Sequence, residues 1–264
     1  MGHPAYRWPM PSNSSRLDDL VARADEWLQV GEIPDYPQAL NGLQFSNGGT
    51  VTRIAAAVDA CLPVIKAAVA RGADLLVVHH GLFWSGAQRV TGAVYEKTRL
   101  AVQHGLAIYS AHLPLDVHPD LGNNALLARA LGLTEVEPFF AWKGIQLGLQ
   151  AASGLPLSEL ESRLRTATGS LVHVCPGGPD PVRRIGIVTG GAGAEVAQAA
   201  REGVDTFITG EGPHWSYTLA EELGVNLLYG GHYATETFGV KALAARLAVE
   251  FDVPWEFIDH PTGL

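Results

Sequence analysis

Cysteine is scarce: Cys61 and Cys175 are the only two in 264 residues. That excludes a disulfide scaffold and a cysteine-rich zinc module, and both read as free thiols. Charge is sparse as well, at 17% Asp, Glu, Lys and Arg. Positive charge is the scarcer sign, with 18 Lys and Arg against 27 Asp and Glu, for a formal net charge of -9. A broad nucleic-acid footprint needs a Lys/Arg-rich face, so no nucleic-acid partner is expected. No apolar run reaches the roughly 18 residues that span a membrane. The opening stretch, MGHPAYRWPMPSNSSR, lacks the apolar centre of a secretory signal. A cytoplasmic, globular protein without a membrane partner is the expectation.

What is present fits an α/β protein. Hydrophobic residues make up 47% of the chain, enough to build a core. The length exceeds one average domain, so one large or two small α/β units are expected. Prolines at 4, 9 and 11 suggest a flexible arm over 1–14. Ser14 or Ser15 is placed to cap a helix whose apolar positions include Leu17, Leu20, Ala24 and Leu28. A loop follows through 44. From 51 the pattern alternates: strand 51–58, helix 63–71 stopped by Gly72, buried strand 75–78, helix 94–103, strand 106–109 and helix 124–131. The stretch 135–182 is less regular, with a strand near 145–150, a helix near 158–168 and a break at Pro176-Gly177-Gly178-Pro179. Alternation then resumes with strand 184–189, helix 195–201, strands at 207–208 and 227–229, helix 235–250 and strand 255–258.

Two segments repeat. RIAAAVDACLPVIKAAVARGADLLVVHHG (53–81) aligns without a gap to RIGIVTGGAGAEVAQAAREGVDTFITGEG (184–212). Arg53, Ile54, Ala68, Gly72, Asp74 and Gly81 meet identical residues. Further on, AHLPLD (111–116) stands opposite GHYATE (231–236), and both place a His four residues before a carboxylate. The fold expected is two related α/β halves of layered helices and sheets, 15–133 and 134–264, with a metal site between them.

Chemistry in open α/β sheets gathers at the carboxyl ends of strands. His79-His80 ends one strand; His112 and Asp116, Glu211, and His232 with Glu236 follow others. Imidazole plus carboxylate without thiolate suits Zn, Mn, Fe or Ni. Adjacent histidines serve two neighbouring ions more readily than one, and a carboxylate can bridge them, giving a two-metal site that activates water. Plainer readings stand beside these. His79 and His80 are also ordinary strand-ending polar residues. His112 suits hydrogen bonding or orienting a ligand better than direct ligation. Asp116 suits a turn or a cap. His232 and Glu236 form a common i, i+4 pair. Glu211 caps a helix, orients a ligand or acts as a general base. Gly190-Gly191-Ala192-Gly193 reads as a tight turn rather than a phosphate cradle. Phe83, Trp84 and Trp215 either wall a cleft for a planar substrate or pack in the core. His3, His104, His118, His173, His214 and His260 lack such company.

Taken in order, Asn41-Gly42-Leu43-Gln44, Val78-His79-His80-Gly81, His112-Leu113-Pro114-Leu115-Asp116, Thr209-Gly210-Glu211 and Gly231-His232-Tyr233-Ala234-Thr235-Glu236 resemble the Nif-three-like family. Its members are also called GTP cyclohydrolase 1 type 2 homologues and include YbgI-type proteins. The resemblance runs from about residue 15 to the end, in the manner of the short bacterial form. It implies a dinuclear metal centre between two α/β halves, in a ring-like homohexamer built from dimers. It places two divalent ions on His79, His80, Asp116, His232 and Glu236, with His112 close by. The reading it supports is a metal-dependent hydrolase in which metal-activated water attacks a nucleotide such as GTP, a phosphoester or an amide-type bond. Glu211 and His112 would handle protons. No basic cluster for a triphosphate is visible, since Arg89, Lys97 and Arg99 are scattered. The rivals are a non-enzymatic metal store or chaperone, and a ring-shaped interaction scaffold.

Overall fold

The computed structural model describes residues 15–264. The expected arm over 1–14 and a cap at Ser14 lie outside them. The first repeat contains β1 (Ser15–Arg16), α1 (Leu17–Leu28), β2 (Gly42–Phe45), β3 (Thr50–Val51), β4 (Ile54–Asp59), α2 (Leu62–Ala70), β5 (Leu75–His80), α3 (Gly92–His104), β6 (Ala107–Ser110), α4 (Leu113–Asp116) and α5 (Asn123–Ala130). A hairpin, β7 (Glu137–Trp142) and β8 (Ile145–Ala152), precedes the second repeat. That repeat contains α6 (Leu157–Thr168), β9 (His173–Pro176), β10 (Arg184–Ile187), a short 3-10 turn, α7 (Val196–Arg201), β11 (Thr206–Thr209), α8 (Trp215–Leu223), β12 (Asn226–Tyr229), α9 (His232–Thr235) and α10 (Thr237–Phe251). β13 (Trp255–Phe257) follows.

The two repeats share one topology. One sheet runs β13-β4-β5-β6-β2 and the other β7-β8-β10-β11-β12-β9. In each, three parallel strands are flanked beyond the third by an antiparallel one, β2 beside β6 and β9 beside β12. Register agrees too: Ile54 pairs with Leu75, and their aligned counterparts Ile185 and Thr206 pair with each other. The sheets differ at the opposite edge, where β13 lies parallel to β4 but β8 lies antiparallel to β10.

Both faces of each sheet are covered, so the central strands are apolar throughout rather than alternating. Ile54, Ala56, Leu75 and Val77 pack towards α1 and α10, whereas Ala55, Ala57, Leu76 and Val78 pack towards α2 and α3. α1 forms because Leu17, Leu20, Ala24 and Leu28 make one buried stripe, with Asp18 and Asp19 favourable at its N-terminus. Its cap position is Arg16, without a side-chain bond. Ser15 does not cap it; the Ser15 hydroxyl donates instead to the Phe251 carbonyl at 3.0 Å.

The last helix of each repeat crosses to the other sheet. α5 buries Leu127 and Leu131 against Ile185, Ile208 and Leu228 of the second sheet. α10 buries Val240, Leu243 and Leu247 against the first. α5 thus packs on the second sheet, and α10 and β13 return to the first. The reason is physical, since a helix ends up wherever its apolar stripe finds an open sheet face. Truncating Leu243 to Ala would cost about 2–5 kcal/mol.

β2, β7, β9 and α8 are among the elements that the sequence pattern does not announce. β2 holds a Gly at positive φ, β9 ends in Pro, β7 lies in the irregular stretch, and α8 follows a Gly-Glu-Gly-Pro turn. No helix among the described residues is long and apolar enough to cross a membrane.

Candidate metal centre

The crossed helices bring the carboxyl ends of β5, β6 and β12 together. His79 and His80 end β5, His112 follows β6, and His232 opens α9 after β12. α4 carries Asp116 and Glu236 follows α9. Nε2 of His79 lies 3.5 Å from Oδ2 of Asp116 and 3.5 Å from Oε1 of Glu236. The other Glu236 oxygen lies 3.4 Å from Nε2 of His80 and 3.2 Å from Nε2 of His232. One carboxylate thus faces three imidazoles. Two triads have ligand atoms mutually within 4.8 Å: His79, His80 and His112, and His80, His232 and Glu236. His80 belongs to both.

Each ring is held from behind. Nδ1 of His79 donates to the Ala111 carbonyl at 2.8 Å, that of His80 to Asp59 at 2.9 Å, that of His112 to Asp35 at 2.9 Å and that of His232 to Glu211 at 2.7 Å. With Nδ1 donating, each neutral ring keeps its Nε2 lone pair for a ligand, the arrangement that metal-binding histidines use. Asp35 also accepts from the Tyr36 and Leu113 amides and from Asn41. Asn41 in turn accepts from the His112 amide at 2.8 Å, and Gln44 accepts from the Leu82 amide at 2.7 Å. The Asn41-Gly42-Leu43-Gln44 motif therefore braces the loops that carry the histidines. Asn123 and Asn124, opening the crossing helix α5, tie both repeats to the centre. Asn123 donates to Asp116 at 2.8 Å and accepts from the Gly239 amide, and Asn124 accepts from the Thr189 amide at 2.9 Å.

The electrostatics suit a cation. His79 is fully buried and Glu236 nearly so. Burial alone would lower the His79 pKa, but the carboxylates of Asp116 and Glu236 outweigh it and raise it from 6.5 to about 10. His232 is raised to about 9, burial again being overcome, here by Glu236 and Glu211. Glu236 is held well below the usual carboxylate range: burial opposes this, and His79, His80 and His232 prevail. Nε2 of His79 and Oε2 of Glu236 are buried yet make no hydrogen bond among the described residues. Buried polar atoms are rarely left so. Nitrogen and oxygen donors converging without bonding one another fit a borderline divalent ion.

Gly190 makes the close packing possible. Its φ is +74°, and an added Cβ would lie 2.2 Å from Oε1 of Glu236. Three amides of this loop are occupied, Gly190 by Thr235, Ala192 by Thr209 and Gly193 by the Glu211 carbonyl, so it is a tight turn rather than a cradle of free amides.

Of the sequence candidates, the structure brings His79, His80, His112, Asp116, His232 and Glu236 together. His112 faces His79 and His80 rather than standing apart, and Glu211 contacts the centre through the back of His232. Sequence reasoning missed Asp35 and Asp59. The only signal for Asp59 was its place at the end of a strand, and Asp35 sat in a proline-flanked loop. Above the ligands lies a cavity of about 360 Å3, lined by His80, His112, His232 and Glu236 and by Tyr36, Trp84 and Trp142. Of the two readings given for Trp84, the cleft wall is the one the structure shows. Phe83 and Trp215 do not, and both are exposed.

Residues 15–262 match the model of the Duf34/NIF3 (NGG1p interacting factor 3) family. The chain belongs to the Duf34/NIF3 family. It is 45% identical over 251 residues to a GTP cyclohydrolase 1 type 2 homolog of Deinococcus radiodurans, covering 94% of each chain. TTHA1606 from Thermus thermophilus has a similar structure, with TM-score 0.86, 40% identity and coverage of 95% of this chain and 100% of that one. The protein ybgI superposes with TM-score 0.88 at 35% identity and the same coverage. The mixed α/β fold of two related halves is thus a family property.

Proposed function

We propose that this Duf34/NIF3 protein is a dinuclear metal-dependent hydrolase. One observation carries the reading. Three imidazoles, of His79, His80 and His232, each fixed by an acceptor behind Nδ1, turn Nε2 towards the buried Glu236 carboxylate, and a fourth, His112, fixed in the same way, groups with His79 and His80. His79, His80, His112, Asp116, His232 and Glu236 would hold two divalent ions. Ions of this kind supply Lewis acidity and lower the pKa of water towards neutrality. The chain's own residues do the rest. Asp35, Asp59 and Glu211 keep three rings in the ligand tautomer. Tyr36, Trp84 and Trp142 line the cavity with rings, and electrostatic interactions strengthen where such walls displace water. Glu211, bonded to His232 and partly exposed, is placed to pass a proton between the centre and solvent. Substrates in scope are nucleotides, phosphoesters and amide-type bonds. A homohexamer is proposed on the family resemblance and is checked by light scattering.

The test is elemental analysis after purification without an affinity tag, followed by turnover of GTP and a nitrophenyl phosphodiester. About two ions per chain, lost in His232→Ala/Glu236→Ala, with turnover that follows metal content, is the expected result. Bound ions without turnover of either compound would favour a metal store or chaperone. No ions after reconstitution with Zn, Mn, Fe or Ni would favour a scaffold.

A further inference from the structure

The hairpin β7–β8 reaches past the sheet that carries it. β8 pairs with β10 only from Leu149 to Ala152, so beyond Leu149 the hairpin has no strand beside it, among the described residues, but its own partner. A two-stranded ribbon is marginally stable alone in water. In the first repeat the same edge holds β13, a single parallel strand, and nothing overhangs in this way.

The overhang is also cut from its base. The register would pair Phe140 with Leu147, between the pairs Phe139–Gly148 and Ala141–Gln146, and that pair is missing. Phe140 sits at φ +71°, a left-handed conformation that residues with a Cβ rarely adopt. Side chains take over where the ladder stops. The Phe140 amide donates to Glu202 at 2.8 Å and the Ala141 amide to the same carboxylate at 3.1 Å. The Leu147 carbonyl accepts from Asn124 at 2.7 Å. A strained backbone residue gripped from two helices, α7 and α5, has the build of a hinge. Beyond it, Lys143 and Gly144 make a two-residue turn with both φ positive, as a type I′ turn requires, so the tip 141–146 is stiff in itself.

The tip crosses to the first repeat. Trp142 meets Tyr36 at 5.2 Å between ring centroids, and the Lys143 ammonium lies 4.3 Å from the Trp142 centroid and 5.5 Å from that of Tyr36. Tyr36 and Trp142 both line the cavity above the metal ligands, so their contact joins one repeat to the other across it. Resting on the metal-centre reading of that cavity, we propose that the tip 141–146 is its gate, turning at Phe140 and latched to the first repeat by Lys143, Trp142 and Tyr36. Closed, it covers the ligands; open, it lets ions and small molecules pass. The cation contributes about threefold to the ratio of closed to open, the scale of an exposed cation–π contact.

The test follows zinc uptake, and zinc capture by a chromogenic chelator, by stopped flow in wild type, Lys143→Ala, Lys143→Arg and Glu202→Ala. A gate sets how fast an ion passes and leaves the equilibrium where it was. Both rates are expected to rise together with affinity unchanged, about threefold in Lys143→Ala and about tenfold in Glu202→Ala, which frees two amides at the hinge. Lys143→Arg keeps the cation and should restore wild-type rates. Unchanged rates in both alanine variants, or weaker binding without faster uptake, would overturn the proposal. Hydrogen exchange of chelated protein reads the hinge without metal. In Lys143→Ala the amides of 141–146 are expected to exchange about threefold faster while those of 149–152 keep their rates. Exchange that quickens in neither segment, or in both alike, would also overturn it. A chain that takes up no metal would remove the hydrolase reading and leave the exchange result to decide the gate.

Discussion

The two repeats use one scaffold unequally. The end of β5 presents His79-His80; the aligned end of β11 presents Gly210-Glu211. In the first repeat that position faces the centre as an imidazole, and Asp59 at the end of β4 holds it. In the second, Glu211 does the holding, gripping His232 of its own repeat. The position aligned with Asp59 is Gly190, and the missing side chain leaves room for Glu236. The third strand end stays alike, a His four residues before a carboxylate in both repeats. A metal centre built on a two-fold repeat need not be symmetric: small exchanges at strand ends decide which group is a ligand and which orients one.

The largest effect is expected at the carboxylate that the rings face in common. Glu236→Ala removes the group that His79, His80 and His232 all face and should abolish binding of both ions, whereas His112→Ala should lose only about one of two. Ions per chain, measured by mass spectrometry of dialysed protein, decide it. Equal losses in the two variants would mean that the triads are not separate sites.

Next comes pH, which separates metal-free from loaded protein by about a hundredfold in affinity per pH unit if two protons are displaced. His79 and His232 are protonated in the metal-free chain up to about 10 and about 9. A raised folded pKa adds stability that is fully present below the unfolded 6.5 and is lost as pH rises through those values. Glu236 works the other way: its lowered pKa adds stability above the ordinary 4.5 that disappears in acid. A metal needs neutral rings, so its affinity grows over the interval in which the metal-free chain weakens. The melting-temperature gap between loaded and chelated protein should widen steadily from 6.5 to about 9. A gap that stays flat over this interval would show that the rings are already neutral.

Much of this was legible in the sequence because the local pattern and the tertiary need agree. The buried strand 75–80 is apolar on both faces and ends in two histidines, so its site residues announced themselves. The gapless alignment of 53–81 with 184–212 foretold the shared register. Three things were not legible. The crossing of α5 and α10 depends on which sheet face stands open, and no spacing along the chain records that. Asp35 lies in a proline-flanked loop far from His112 in sequence, and only the fold brings the two to 2.9 Å. β2 and β9 are four residues each, and they become strands because a sheet edge is there to pair with.

Breaking the asymmetry from the other side gives a smaller effect. Gly190→Ala forces a methyl group against Glu236 at a positive φ and should cost about 1–3 kcal/mol in urea denaturation of chelated protein. Gly191→Ala is the control. Its nearest neighbour is a His232 ring atom at 3.5 Å, ordinary contact distance, so little change is expected. Comparable costs at both positions would mean that the loop, not the Glu236 contact, sets the penalty.

The smallest effects rank the carboxylates that hold the rings. Replacing a group behind a metal-bound imidazole typically costs 10–100-fold in metal affinity. The Asp35 side chain is 6% exposed and that of Glu211 is 41% exposed. Asp35→Asn places an amide where the His112 ring, two backbone amides and Asn41 all donate, and little water reaches it to compensate. A loss near the hundredfold end of that range is expected. Glu211→Gln keeps an acceptor for His232, and solvent screens the lost charge, so about tenfold or less is expected. Competition with a chromogenic chelator measures both. A reversed order would mean that Glu211 acts on the centre directly, as the general base, rather than through the ring it holds.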